Sequence, residues 1–224
     1  MSGQENILES GRGWTGTSGR WETWGFAVLL VITNTHLLAG ELPGLWSFSP
    51  ERVLAGQWWR LLLHPFAHVS WYHLALDAGA FFILYATLRE PRSLVRLGYV
   101  LSCGIMSLVL SWWLVPNLSG TGLCGLSGIA HGLTAVCALE MTEQPKTRTI
   151  GVAVLVVILV KSILEACLGR VLLVPFHQDW CGTPVAISHL GGVTGGVFAF
   201  SLKWGTTRET FKKRSTMKEA GSER

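Results

Sequence analysis

The stretch GLCGLSGIAHGL, residues 122–133, places Ser127 and His131 among glycines inside an apolar segment. Glycine disfavours a helix interior, and an ionisable side chain is costly in a lipid environment. Non-helical backbone at membrane depth is tolerated where it lines a cavity or is covered by protein. We therefore expect residues 119–126 to form an irregular loop, with a helix that begins near Ser127 and leaves its first N–H groups free.

The composition around this stretch is that of a membrane protein. Of the 224 residues, 14% are charged and 49% are hydrophobic, whereas a typical soluble domain is about 25% charged. Several apolar stretches approach the roughly 20 residues that cross a hydrocarbon core. They are residues 24–41, 73–88, 97–115, 121–141, 149–168 and 184–204. The sequence therefore predicts an all-α, polytopic fold with six transmembrane helices.

We expect one membrane domain over residues 24–204, between an N-terminal tail of residues 1–23 and a basic C-terminal tail of residues 205–224. The first span lacks a small-residue cleavage site, which favours a retained helix over a signal peptide. With both termini inside, the outer loops contain only three basic residues, Arg52, Arg60 and Arg170. The positive-inside rule therefore predicts cytoplasmic termini, and the basic tail is typical of an anchor at anionic lipid rather than a nucleic-acid site.

Polar residues of three predicted spans fall at one depth. The second, fourth and sixth spans all run inward, so His73, Asp77, Ser127 and His189 each enter near the outer surface. A lone serine in a membrane helix is usually a packing residue bonded to its own i−4 carbonyl. Intramembrane histidines, by contrast, normally face the bundle interior and a partner. Four such groups at one level indicate a functional site.

Glycines suggest how two of these groups meet. Gly192 and Gly196 lie four residues apart and leave one helix face without side chains, which permits close packing on a neighbour. If that neighbour is the fourth span, His189 comes within reach of Ser127. A histidine can accept the proton of a serine nucleophile, and the free N–H groups of a helix start suit the resulting oxyanion.

The motifs taken in order resemble those of rhomboid intramembrane serine proteases over about residues 24–204. They are Trp59-Arg60, then His64, His68, His73 and position 77, Gly-x-Ser-Gly at 125–128 and His-x-x-Gly-x-x-x-Gly at 189–196. The segment LCGLSGIAHG and the compact chain are similar to rhombosortase, a bacterial branch implicated in processing C-terminal GlyGly-CTERM sorting tails. The resemblance implies a six-helix bundle that cleaves transmembrane proteins in the bacterial inner membrane, without metal or organic cofactor.

Site roles follow from the same resemblance. It implies that Ser127 is the nucleophile, His189 the base and His73 an oxyanion donor, with Gly125 and Gly128 flanking the serine. His131 occupies the position of an aromatic residue that packs on the base in rhomboids, where an imidazole could stack or form a hydrogen bond.

Trp59 and Arg60 correspond to an outer loop that lies partly in the membrane surface. An aromatic belt residue beside a snorkelling cation is the simpler interpretation of this pair.

Asp77 departs from the family pattern, which usually has asparagine there. An amide can donate to an oxyanion, whereas an ionised carboxylate would repel it. We hypothesise that Asp77 is protonated when it contributes, since a buried carboxylic acid can remain neutral and donate a hydrogen bond. The alternative is that Asp77 has no oxyanion role and that His73 suffices.

Two other functions and one cross-link are open to test. Histidines 64, 68, 73, 131 and 189 could form a metal or haem site, although no zinc-protease HExxH motif is present. A rhomboid-like protein that binds transmembrane segments without cutting them is the second alternative. Among the cysteines, Cys124, Cys167 and Cys181 lie toward the outer side, where a disulfide is chemically permitted but its geometry is not given by sequence.

Overall fold

The structure is a computed structural model that describes residues 21–116, 118, 122–172 and 185–203. The first 20 residues, the basic C-terminal tail and Cys181 lie outside this range. Every regular element in the described residues is a helix, as the sequence predicts. The six longest are α1 (Trp21–Thr33), α2 (Trp71–Thr87), α3 (Ser93–Leu114), α4 (Ser127–Thr142), α5 (Arg148–Leu168) and α6 (187–203).

One predicted span, the first, extends beyond its helix. The first, residues 24–41, ends as an α-helix at Thr33, and a 3-10 turn follows over Thr35–Ala39. At the end of this helix Thr33 Oγ1 and Asn34 Nδ2 both donate to the carbonyl of Phe66, at 2.8 and 2.7 Å, and so attach the helix end to the segment before α2. In the fourth, residues 121–141, the helix begins at Ser127, as the expected loop before it predicts.

Two of the described helices, α3 and α5, are long and apolar enough to cross a membrane by length and composition. The other helices are shorter or interrupted by polar residues and glycine, so six membrane crossings remain a prediction. The bundle nevertheless exposes large apolar side chains on its outside: Val31 is 70% exposed, Trp113 86% and Val157 66%. Extensive exposed apolar surface is typical of a face that contacts lipid or another apolar partner.

Helix α4 is the centre of the bundle. It contacts α2, α3 and α5, and Leu133, Ala135, Val136 and Ala138 on it are fully buried. Its small residues let neighbouring backbones approach closely, which is how membrane helices gain packing energy without a hydrophobic driving force. An aromatic cluster packs α1 against α2, with the Phe26 and Phe81 rings 5.0 Å apart and nearly perpendicular, and it belongs to the same core as Leu133 and Val136.

The segment between α1 and α2 contains two short helices, Pro50–Leu54 and Arg60–Leu63, followed by a 3-10 turn over His64–Phe66. It is joined to the loop before α4 by an isolated antiparallel bridge between Phe48 and Leu123. Since this segment touches both the start of α2 and the start of α4, it closes one end of the bundle.

The opposite end is held by ionic contacts, and we call it the charged end. It comprises Glu22, Glu90, Arg92, Arg96, Glu140 and Lys203. Arg96 forms an ion pair with Glu22, and Glu90 pairs with Arg92 at 2.7 Å and with Lys203 at 3.1 Å. Glu140 accepts the backbone N–H groups of Arg89 and Glu90, at 2.7 and 3.2 Å. These contacts fasten α1, α3, α4 and α6 to the loop between α2 and α3.

Candidate active site

Ser127 is the first residue of α4, and an irregular loop leads into it, as predicted. Gly122 and Gly125 have φ angles of 68° and 101°, in a region that side chains with a Cβ rarely adopt. The glycines of the motif therefore let the chain turn sharply and place the serine at the helix start. There the first N–H groups have no intrahelical acceptor and the helix dipole is positive, which favours a developing negative charge.

Helix α6 carries His189 and packs backbone to backbone on α4. A Cβ added to Gly192 would overlap the carbonyl oxygen of Gly128, and one added to Gly196 would overlap the carbonyl oxygen of Gly132. The side-chain-free face expected from the sequence is therefore turned toward the fourth span. His189 lies three residues before Gly192, and it is buried, with 4% of the residue exposed.

His131 connects the two candidate catalytic residues. Its Nδ1 lies 2.8 Å from the Ser127 carbonyl oxygen, and its ring stacks on His189 with centroids 3.9 Å apart and planes 6° apart. A carbonyl oxygen only accepts, so Nδ1 of His131 carries the proton. Ser127, His131 and His189 therefore form one continuous set of contacts between α4 and α6.

Two further residues that the sequence reasoning missed belong to this cluster. Glu165 on α5 accepts from His189 Nδ1 at 2.6 Å. Lys161, one turn earlier, bonds Glu165 Oε1 at 2.7 Å and His131 Nε2 at 2.8 Å. The signal was present in the sequence, because Lys161 and Glu165 are ionisable residues four apart in an otherwise apolar span, where such residues face a partner or a cavity.

His73 and Asp77 lie on the other side of the serine loop. Asp77 Oδ2 is 3.2 Å from His73 Nε2 and 3.5 Å from His68 Nε2. A Cβ added to Gly125 would stand 2.9 Å from His73 Nε2 and 3.0 Å from Asp77 Oδ2. Only glycine fits there, and His73 and Asp77 consequently lie close to the backbone two residues before Ser127.

Arg60 is a buried loop clamp rather than the snorkelling cation of the simpler interpretation. It is 1% exposed, and its guanidinium donates to the carbonyls of Ser47 and Gly44 at 2.6 and 2.8 Å. Trp59 donates through Nε1 to the carbonyl of Leu45 at 3.2 Å. The Trp-Arg pair thus holds residues 44–47 against the short helix Arg60–Leu63, within the segment that closes the end of the bundle where Ser127 lies, which we call the site end.

The five histidines considered as a metal or haem set are not gathered into one ligand group. His64 Nδ1 is bonded to the Arg60 carbonyl at 3.0 Å, and His68 Nδ1 lies 3.3 Å from Asn34 Oδ1. Within the described ranges, the one group of three potential ligands is His131, Glu165 and His189. The Lys161 ammonium already occupies the lone pairs that a cation would need on His131 and Glu165.

The cysteines of the described residues are not cross-linked. Cys124 and Cys167 are both free. The disulfide that the sequence permits is therefore not formed between these two, and its third candidate, Cys181, lies outside the described residues.

The fold and this cluster define a helical membrane protein in which a serine at a helix start and a histidine of a neighbouring helix are linked through the ring of His131. The Rhomboid domain family model matches residues 55–206. The match covers well over half of the chain, and the protein belongs to the rhomboid family. Members of this family are generally intramembrane serine proteases, although some are inactive. None of the curated proteins and none of the solved structures matches this chain.

Proposed function

We propose that this protein is an intramembrane serine endopeptidase that cleaves membrane-anchored proteins near the outer face of the membrane. The observation that carries the proposal is the link through His131, which bonds the Ser127 carbonyl and stacks on His189. Through this link the start of α4 is joined to a buried histidine of another helix. A serine nucleophile needs such a base nearby, because the base must accept the hydroxyl proton as the bond to the substrate forms.

The reaction proceeds in two acyl-transfer steps. His189 Nε2 takes the Ser127 proton while Oγ attacks the scissile carbonyl carbon, and the oxyanion is held by N–H groups at the start of α4 and by His73. The protonated His189 then gives its proton to the leaving amine. Water, activated by the same histidine, releases the acyl group and restores Ser127.

The contacts of Asp77 favour the second of the two roles considered for it. One of its carboxylate oxygens faces the Nε2 atoms of both His68 and His73. We propose that Asp77 holds His73 beside the serine loop and does not itself bind the oxyanion.

Substrates should contain weakly helical transmembrane segments. A peptide bond within a stable helix is shielded by its hydrogen bonds, so glycine-rich stretches near the outer interface are the preferred sites. The resemblance to rhombosortase favours C-terminal GlyGly-CTERM tails and a bacterial inner membrane. The six apolar stretches favour six crossings, and the distribution of basic residues favours cytoplasmic termini.

A serine-directed fluorophosphonate tests the activity without knowledge of the substrate. The nucleophile displaces fluoride and forms an Oγ–phosphorus bond that gel fluorescence detects. We expect labelling of the purified wild-type protein in detergent and loss of at least about 1,000-fold in Ser127→Ala and His189→Ala. Ser201→Ala is the matched control, because Ser201 lies on α6 and bonds its own i−4 carbonyl at Val197.

Cleavage is tested in cells with a co-expressed membrane-anchored reporter that carries a GlyGly-containing tail. The wild type should shorten the reporter, whereas the Ser127→Ala and His189→Ala variants should not. Normal processing by both variants would refute the protease. A wild type that binds the reporter stably but neither labels nor cleaves would establish the non-catalytic, segment-binding alternative.

A further inference from the structure

We propose that Glu165 is a positioning residue for His189, so that the reacting group is a Ser127–His189–Glu165 triad with Lys161 fixing the carboxylate. This inference rests on the proposed protease function. Glu165 Oε2 lies 2.6 Å from His189 Nδ1, and the two side chains are 0% and 5% exposed. The contact joins α5 to α6, and neither helix contributes the nucleophile.

The hydrogen bond determines which nitrogen of His189 is the base. An ionised carboxylate only accepts, so His189 Nδ1 carries the proton and Nε2 keeps its lone pair. Without a partner at Nδ1, the imidazole would be free to hold its proton on Nε2 and would then be unable to accept another. Glu165 therefore selects the tautomer that can deprotonate Ser127 and fixes the plane of the ring.

The carboxylate is itself held in place through its other oxygen. Glu165 Oε1 accepts from Lys161 Nζ at 2.7 Å and from the backbone N–H of Leu172 at 2.8 Å. Lys161 also donates to His131 Nε2, and the ring of His131 stacks on the ring of His189. The ammonium neutralises the buried carboxylate in the resting state and leaves Oε2 for the histidine.

The proton balance needs no further group. During attack the Ser127 proton moves to His189 Nε2, and the imidazolium keeps its Nδ1 proton in the bond to Glu165. The carboxylate stabilises that cation without taking the proton, and Nε2 later delivers its proton to the leaving amine. Glu165, Lys161 and His131 are unchanged after each cycle.

Glu140 provides a comparison within the same bundle. It is a buried glutamate on α4 at 2% exposure, and its two oxygens accept backbone N–H groups of Arg89 and Glu90. No imidazole faces it in these contacts. The buried carboxylate of Glu140 is therefore satisfied by backbone donors, whereas one oxygen of Glu165 accepts from a histidine.

The decisive experiment measures fluorophosphonate labelling kinetics of Glu165→Gln against Glu140→Gln. In Glu165→Gln the amide NH₂ facing His189 favours the wrong tautomer, because its oxygen is retained by Lys161 and the Leu172 N–H. We expect the maximal labelling rate to fall about 100- to 10,000-fold with little change in the inhibitor concentration at half-saturation. Glu165→Asp should recover part of the rate, and Glu140→Gln should retain it within about threefold.

Two results separate failure of the triad from failure of the protease. If Ser127→Ala is unlabelled but Glu165→Gln labels like the wild type, the triad is refuted and the protease stands. If the wild type is not labelled, the protease itself fails. Should Glu165→Gln not fold, the test is a proton NMR spectrum of the wild type with ¹⁵N-labelled histidine. We expect a strongly downfield resonance for the Nδ1 proton of His189. Absence of this resonance would overturn the triad.

Discussion

The two ends of the bundle both contain buried charges, yet only one is arranged for chemistry. At the charged end, carboxylates meet guanidinium groups, an ammonium and backbone N–H groups, as in the pairs of Arg96 with Glu22 and Glu90 with Arg92. At the site end, a carboxylate and an ammonium both meet imidazoles, and one of these imidazoles, His131, bonds the backbone carbonyl of a serine at a helix start.

The difference shows that burial of an ionisable residue indicates a need for a partner and does not by itself indicate a catalytic role. A guanidinium remains charged throughout, so it can hold helices together but cannot accept a proton. An imidazole keeps one nitrogen available when its other nitrogen is bonded. Mutations at the charged end should therefore change stability and leave the chemistry of each folded molecule intact.

The largest effect on stability is expected at the charged end for Arg96→Met. Arg96 is 4% exposed and pairs with Glu22 while donating to the Glu90 carbonyl at 2.8 Å. Its removal leaves a buried carboxylate without its cation and should cost about 3–5 kcal/mol. Thermal unfolding in detergent measures the loss, with Arg89→Met, an exposed arginine of the same end, as control. A fall in labelling per folded molecule would contradict the division between the two ends.

The next largest effect should come from Gly192→Ala, which should lower both the stability of the bundle and the rate of fluorophosphonate labelling. The added Cβ would meet the Gly128 carbonyl, and relief requires α6 to move away from α4. We expect a destabilisation of about 1–3 kcal/mol and slower fluorophosphonate labelling, because His189 moves with α6. Gly98→Ala is the matched control, since a Cβ there has nothing within 4 Å. Equal stability and equal labelling rates of the two alanine variants would show that neither depends on the close approach of α4 and α6.

A smaller effect is expected for Asp77→Asn. If Asp77 holds His73 and does not contact the oxyanion, an amide oxygen replaces the carboxylate as acceptor for one imidazole. Labelling and reporter cleavage should then fall less than about tenfold, or about 1.4 kcal/mol of transition-state stabilisation. Complete loss of cleavage in this variant, with the thermal midpoint retained, would assign the carboxylate a direct part in the reaction.

The smallest effect concerns Glu90, which lies in the loop between α2 and α3. Burial opposes its ionisation, but hydrogen bonds from Arg92 and Lys203 outweigh burial and lower its pKa from 4.5 to about 2. A carboxyl whose pKa is lower in the folded state stabilises the fold above its unfolded pKa, and that stability is lost as the pH falls toward about 2.

Glu90→Gln should therefore flatten the decrease of the thermal midpoint between about pH 5 and pH 3. The control is Glu41→Gln, an exposed glutamate of the segment between α1 and α2. An unchanged pH dependence in Glu90→Gln would show that the ion pairs of this loop do not contribute to stability.

The fold class, the helix start at Ser127 and the family of this protein can be predicted from its sequence alone. Apolar composition and the length of the apolar stretches predict a helical membrane protein, because a helix satisfies its own backbone hydrogen bonds in lipid. The glycines before Ser127 predict a loop and a helix start. The Gly192 and Gly196 spacing indicates a close helix contact, although it does not name the partner helix. The spacing of the histidine and serine motifs also suffices for the family.

Only the tertiary structure decided which polar groups share a site. Lys161 and Glu165 lie between Ser127 and His189 in the sequence, and their spacing shows a common helix face without showing what that face meets. The register of α5 against α4 and α6 sets that contact, and it depends on side-chain packing along three helices at once. Sequence periodicity reports each helix face separately, so the carboxylate behind the histidine becomes visible only after the helices are assembled.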